Sequence, residues 1–171
     1  MKNSLLHAQG VYAIATTPFL DNGDIDFNSV DKLSEYYLES GAKGITILGV
    51  MGEAPKMNLE EQKYLVQRYV KNLRDKIPII IGVSNPGLDN LKNIAQEGMQ
   101  LGANGVMVAG LNGLKNDDQI ENYFDSVVRY LEGVPICLQD YPPTTNVHFS
   151  VSSIEKIFAK HPQFEMFKHE D

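Results

Sequence analysis

The most reactive arrangement in this sequence stands near its carboxyl end, where Lys168 closes the run Phe164-Glu165-Met166-Phe167-Lys168. Side chains alternate along a strand, so this spacing predicts that Phe164, Met166 and Lys168 share one face. An amine at the end of a buried strand loses hydration. Burial disfavours the ammonium and supplies the neutral amine that attacks a carbonyl carbon. The competing reading is a solvated lysine in a charged terminus, Lys168-His169-Glu170-Asp171. Metal chemistry finds no support, because His7, His148, His161 and His169 are scattered without ligand spacing. His161, standing before Pro162, reads as a surface turn residue. The single cysteine, Cys137, excludes an intramolecular disulfide and fits a reducing compartment.

Such a lysine needs a scaffold, and the rest of the chain supplies a regular one. Strands are predicted over Val11–Ala15, Gly44–Leu48, Ile77–Ile81, Gly105–Val108, Pro135–Leu138 and Phe164–Lys168. Several are nearly continuous apolar runs, as expected of parallel strands covered on both faces. Helical patterns lie between them. Asn58 with Glu61 resembles a capping box, and Asn116 with Gln119 repeats it with amides. An internal echo, Ser40-Gly41-Ala42-Lys43-Gly44 against Leu101-Gly102-Ala103-Asn104-Gly105, ends a helix at Gly-Ala and enters a strand at the next Gly. Strand spacing of about 30 residues is that of one β/α unit.

A doubly wound open sheet and a (β/α)8 barrel both fit six such units. The sequence stops on or just past a strand with no helix to cover it, which favours the barrel. The expected fold is therefore a single α/β domain over residues 1–171: an incomplete TIM barrel of about six β/α units, three-quarters of a full one. In a barrel, the carboxyl end of a strand is where active sites lie, and Lys168 stands there.

The order and spacing of several further motifs resemble the dihydrodipicolinate synthase / N-acetylneuraminate lyase family. Gly10-Val11-Tyr12-Ala13-Ile14-Ala15-Thr16-Thr17-Pro18-Phe19 is similar to its opening strand and first loop. Gly49-Val50-Met51-Gly52-Glu53 resembles its Gly-Thr-Thr-Gly-Glu turn after strand two. Pro78-Ile79-Ile80-Ile81-Gly82-Val83 and Gly102-Ala103-Asn104-Gly105 resemble its third strand and the start of its fourth. Pro135-Ile136-Cys137-Leu138-Gln139-Asp140-Tyr141-Pro142 is similar to a fifth strand that usually ends Tyr-Asn-x-Pro, and Phe167-Lys168 falls where the family has its Schiff-base lysine. The resemblance implies a class I aldolase or dehydratase. Lys168 would condense with the ketone of pyruvate or a related 2-keto acid, and the protonated imine would serve as electron sink without metal or organic cofactor.

Several positions depart from the family pattern. Val50 and Met51 replace the two hydroxyls of the carboxylate-binding turn, leaving backbone donors around Gly52 and a helix N-terminus to bind an anion. Core packing is the other reading of Val50 and Met51. Gln139 stands where the family has its proton-relaying tyrosine, and an amide is neither acid nor base near neutral pH. Thr144 stands where a basic residue often grips a second carboxylate, and Gly110-Leu111-Asn112-Gly113 lacks the phenol lent to a neighbouring subunit. Dihydrodipicolinate synthesis itself is therefore not expected. Tyr141, two residues past Gln139, is a candidate substitute relay or a rim-packing residue. Glu53 is a candidate acid or a loop-ordering residue.

The candidate site is thus Lys168 and Tyr141 as catalytic groups, with Val50, Met51, Gly52 and Gln139 binding substrate. A protein that has lost catalysis and serves as a ligand-binding or regulatory barrel is the competing function. Composition, 43% apolar and 22% charged, is that of a folded protein. A net charge of −7 without a Lys/Arg cluster argues against nucleic acid. No run approaches the ~20 apolar residues of a membrane span and no signal-peptide pattern appears, so a cytoplasmic protein is expected. Homodimers or tetramers are implied by the family. A product of only these residues is expected to be inactive, aggregation-prone or dependent on a partner, because two sheet edges would stay open.

Overall fold

The computed structural model describes residues 4–170. The amino-terminal stretch expected to carry no leader begins at positions 1–3, which lie outside the described residues, as does Asp171.

Among the described residues, six strands and six α-helices follow one another in chain order: β1 (Tyr12–Ile14), α1 (Phe27–Glu39), β2 (Gly44–Ile47), α2 (Leu59–Leu73), β3 (Ile79–Gly82), α3 (Leu88–Leu101), β4 (Gly105–Ala109), α4 (Asp117–Tyr130), β5 (Ile136–Asp140), α5 (Pro142–Thr145), α6 (Val151–Lys160) and β6 (Phe164–His169). Every neighbouring pair of strands is parallel, and the sheet order is β1-β2-β3-β4-β5-β6. Each new strand adds beside the last. A doubly wound sheet reverses direction at a switch point, so this order belongs to a barrel wall. The architecture is an incomplete TIM barrel, as expected, and each strand begins and ends within two residues of its expected bounds.

Alternation along the strands separates two apolar layers. Ile45, Ile47, Ile79, Ile81, Val106, Val108, Ile136 and Leu138 face outward under the helices, where they meet Leu65, Val66, Tyr69, Leu91, Phe124 and Ile157. Ile80, Met107 and Cys137 face inward, with Tyr12 and Met166 packed against them. Leu5 joins this inner cluster from the amino-terminal segment. That segment is tied to β6, since the Leu5 N–H and the Ser4 hydroxyl both donate to Glu165 Oε2, at 2.5 and 2.9 Å.

The helix starts obey local chemistry. Asn58 Oδ1 accepts from the Glu61 N–H at 3.0 Å, and Glu61 returns a carboxylate to the Asn58 N–H at 2.7 Å, which completes the capping box of α2. At α4, Asn116 accepts from the Gln119 N–H, but Gln119 reaches the N–H of Lys115 instead of Asn116. The internal echo corresponds to equivalent turns. Gly41 and Gly102 sit at φ +79° and +113°, the left-handed conformation that ends α1 and α3 and feeds β2 and β4.

Two expectations are corrected. Phe164 does not share a face with Met166 and Lys168. The β5–β6 register steps from Ile136↔Phe164 to Cys137↔Met166, so Glu165 is an extra residue, and such a bulge inverts the alternation before it. Phe164 therefore packs outward on Phe124 and Phe158, while Met166 points inward. His161 is not a surface turn residue. It caps the end of α6 with its side chain 14% exposed, and its Nε2 lies 2.6 Å from Asp125 Oδ1 of α4. No helix among the described residues is long and apolar enough to cross a membrane.

Candidate active site

The carboxyl ends of the strands surround a cleft of about 270 Å³ that the loops after β2 to β5 line. The loop after β2 is held tightly. Leu48 adopts the left-handed conformation at φ +55°, the Gly52 N–H donates to Gly49 O at 3.0 Å, and the Glu53 N–H donates to Val50 O at 3.1 Å. The buried Thr17 hydroxyl donates to Gly52 O at 2.6 Å and fastens the turn to the loop after β1. Both polar atoms of the Gly52 backbone are therefore engaged. Among the described residues, the N–H groups of Leu48, Gly49, Val50 and Met51 have no acceptor in the protein and are the donors this turn leaves over.

Val50, Gln139 and Tyr141 come together in the lining of this cleft; Met51 and Gly52 do not line it. Val50 and Met51 are 46% and 56% exposed, so neither is a core residue, and the core-packing reading of the turn is set aside. Gln139, by contrast, is buried on the inner face of β5. Tyr141 follows the end of β5, and its carbonyl accepts from the N–H groups of Thr144 and Thr145 as α5 begins. Glu53, at φ +55°, pairs with Lys56 three residues on. That contact keeps its carboxylate within its own loop.

The cleft also includes Ser84, Asn85, Asn112, Tyr123, Thr144 and Thr145, and none of its lining side chains is a lysine, arginine, histidine or carboxylate. Ser84 accepts from the Ala109 N–H at 2.9 Å. Burial pushes the Tyr123 phenol up to about 12, so it stays protonated through the neutral range.

Lys168 stands opposite Gln139 in the β5–β6 register, on the inner face, and lines an adjoining cleft of about 290 Å³ with Tyr12, Thr46, Ile80, Cys137 and Met166. Its Nζ contacts Glu170 Oε2, and the same oxygen accepts from Gln139 Nε2 at 2.8 Å. The setting is not the purely apolar pocket expected of a lysine kept neutral by burial alone. Its side chain is 24% exposed and meets a carboxylate. Burial raises the Glu170 carboxyl, but the Gln139 amide and the Lys168 ammonium together outweigh it and hold the group below its usual range. For Cys137 burial wins over Lys168, and the thiol rises to about 12. His169 points the other way: it stacks on Phe167, and its Nδ1 lies 3.0 Å from Oδ2 of the buried Asp140. Among the described residues, no group of three or more His, Cys, Asp or Glu side chains is placed to hold a metal ion.

Glu170 was not singled out from sequence, although a signal existed. Two residues past Lys168 on a strand continuation, it shares that lysine's face by alternation.

A half-barrel that presents an inward lysine at the end of its sixth strand defines the class, and comparison with known proteins gives the family. The Dihydrodipicolinate synthetase family matches residues 7–169, and the chain belongs to that family. It is similar to the crystal structure of dihydrodipicolinate synthase from Rhodopseudomonas palustris, with a TM-score of 0.94 and 40% identity over 97% of this chain and 55% of that one. The 4-hydroxy-tetrahydrodipicolinate synthase of Kosmotoga olearia is 36% identical over 100 residues, which are 58% of this chain and 34% of that protein. A fold likeness at 21% identity and TM-score 0.82, over 92% of this chain and 53% of that one, joins it to YagE, a prophage protein of the family from E. coli K12 whose crystal structure is a complex with pyruvate. The chain thus spans between a third and just over half of the length of these relatives.

Proposed function

We propose that this chain is part of a Schiff-base lyase, an aldolase or dehydratase acting on pyruvate or a related 2-keto acid, with Lys168 as nucleophile. The observation that carries this is the inward amine at the end of β6, opposite Gln139, in a member of this family. The keto acid carboxylate is received by the free N–H groups of this turn, of which Gly49 and Val50 line the cleft, and Tyr141 lines the space beyond. Because no cationic side chain lines the cleft, the remainder of the substrate is uncharged, in keeping with Thr144 at the place of the family's basic residue. A dicarboxylate product such as dihydrodipicolinate does not suit that lining. The cytoplasm and a homo-oligomer, dimer or tetramer, go with this reading.

Borohydride trapping of the natural full-length protein with pyruvate tests it. A mass adduct on Lys168 is expected, and its absence with pyruvate and with neutral-tailed 2-keto acids would overturn the assignment. A second reading, a ligand-binding barrel without turnover, is favoured by Gln139 in place of a phenol. Saturable binding of pyruvate that survives Lys168→Ala, with no trapped adduct, is its signature.

A further inference from the structure

Imine chemistry needs a group that moves protons at the reacting nitrogen, and the family's phenol is absent from β5. Candidates around Lys168 can be taken in turn. Gln139 is an amide, the Cys137 thiol is held near 12, Tyr123 and Tyr141 line the other cleft, and burial raises the phenol of Tyr12, which shares the cleft of Lys168. His169 is turned to Asp140. One titratable side chain touches Lys168 Nζ among the described residues: Glu170. Its position is built, since the Glu170 N–H donates to Asp140 O at 2.9 Å, extending the β5–β6 ladder, and Gln139 Nε2 holds its Oε2 at 2.8 Å.

We infer that Glu170 is the catalytic acid–base of this site and that Gln139, no longer a proton donor, is the residue that positions it. This rests on Lys168 being the Schiff-base nucleophile. The Glu170 carboxylate takes one proton from the Lys168 ammonium. The freed amine attacks the ketone carbon, and the carbonyl π pair moves to oxygen, which receives that proton from Glu170. Glu170 then takes a second proton from the carbinolamine nitrogen and delivers it to the hydroxyl. The carbon–oxygen bond breaks, water leaves, and the nitrogen lone pair forms the protonated imine. Glu170 ends as the carboxylate it was at the start. A carboxylate anchored by an amide thus replaces a phenol, and Gln139 keeps its place on β5 with a changed task.

The test is the rate of borohydride-trappable imine formation with pyruvate, measured by quenching the natural full-length protein at successive times. Glu170→Gln, nearly isosteric, is expected to slow trapping by about a hundredfold or more while the adduct still forms at long times. Formate is expected to restore part of the rate to Glu170→Ala, an effect that loss of an ion pair alone does not produce. Equal trapping rates in Glu170→Gln and the unaltered protein would overturn the role of Glu170 and leave Lys168 standing. No adduct in the unaltered protein would instead overturn the lysine, and this role with it. Should Glu170→Gln fold poorly by circular dichroism, Gln139→Leu is the second variant. It releases the anchored carboxylate, so slowing by about tenfold is expected and an unchanged rate counts against the assignment.

Discussion

At the scale of single residues, the site depends on close approach as much as on chemistry. Gly82 ends β3 where the backbone of the loop after β2 crosses it: a Cβ there would stand 2.2 Å from Leu48 O and 2.7 Å from its carbonyl carbon. Backbone cannot swing aside as a side chain does. Gly82→Ala is therefore expected to cost about 1–3 kcal/mol of stability by urea unfolding. The same variant should weaken pyruvate binding, because Leu48 leads directly into the Gly49 and Val50 donors. Unchanged stability would show that the loop is looser than its hydrogen bonds imply. Legibility at this scale was uneven. Lys168, Gln139 and Tyr141 could be placed from alternation and resemblance because each sits on or beside a strand. Phe164 could not, since a bulge depends on one unpaired residue, Glu165, whose partner lies in the amino-terminal segment far away in sequence. Free N–H groups at Val50 and Met51 were equally hidden. The Gly49–Gly52 and Val50–Glu53 turn bonds that occupy the neighbouring donors are a matter of backbone conformation, not residue type.

At the scale of elements, helices α4 and α6 are joined by the Glu121–Lys156 pair and, at the end of α6, by the Asp125 carboxylate. Asp125 receives Lys160 Nζ on Oδ2 at 2.6 Å and His161 Nε2 on Oδ1 at 2.6 Å. The Lys160 contact leads, with His161 adding to it, and together they hold the Asp125 carboxyl below its usual range despite burial. The sign follows from linkage. In the unfolded chain the carboxyl takes up its proton at the ordinary aspartate value, in the folded chain only at lower pH, so the unfolded state binds more protons in between. Stability from this contact is full above the ordinary aspartate range and is lost as pH falls toward the folded value. Thermal melts of the unaltered protein should therefore fall on acidification through that range, and Asp125→Asn should flatten that part of the curve. Parallel curves for the two proteins would remove Asp125 from the account. The helix starts that such contacts connect were readable in advance, since Asn58 and Asn116 with their partners three residues on obey local rules. The link itself was not, because His161 and Asp125 meet only after both helices have packed on the sheet.

At the scale of the whole molecule, the two ends of the sheet behave differently. β1 has three residues and its neighbour is β2, whereas β6 has six and its only partner among the described residues is β5. An unpaired strand of that length, with a ladder of free backbone groups, is a template for another strand. Half-exposed Phe167 sits on it, and the inner face beside it holds the cleft that Met166 and Lys168 line. The polypeptide of these 171 residues by itself is thus expected to self-associate through β6 as concentration rises and to bind a hydrophobic dye along the inner face. Fusing on two further β/α units, as the greater length of the relatives suggests, should suppress both by giving β6 a neighbour and covering the inner face. Sedimentation velocity over a range of concentrations reads the first effect and dye fluorescence the second. A monomer at every concentration, with no dye signal and no change on fusion, would mean that β6 is protected by means other than strand pairing.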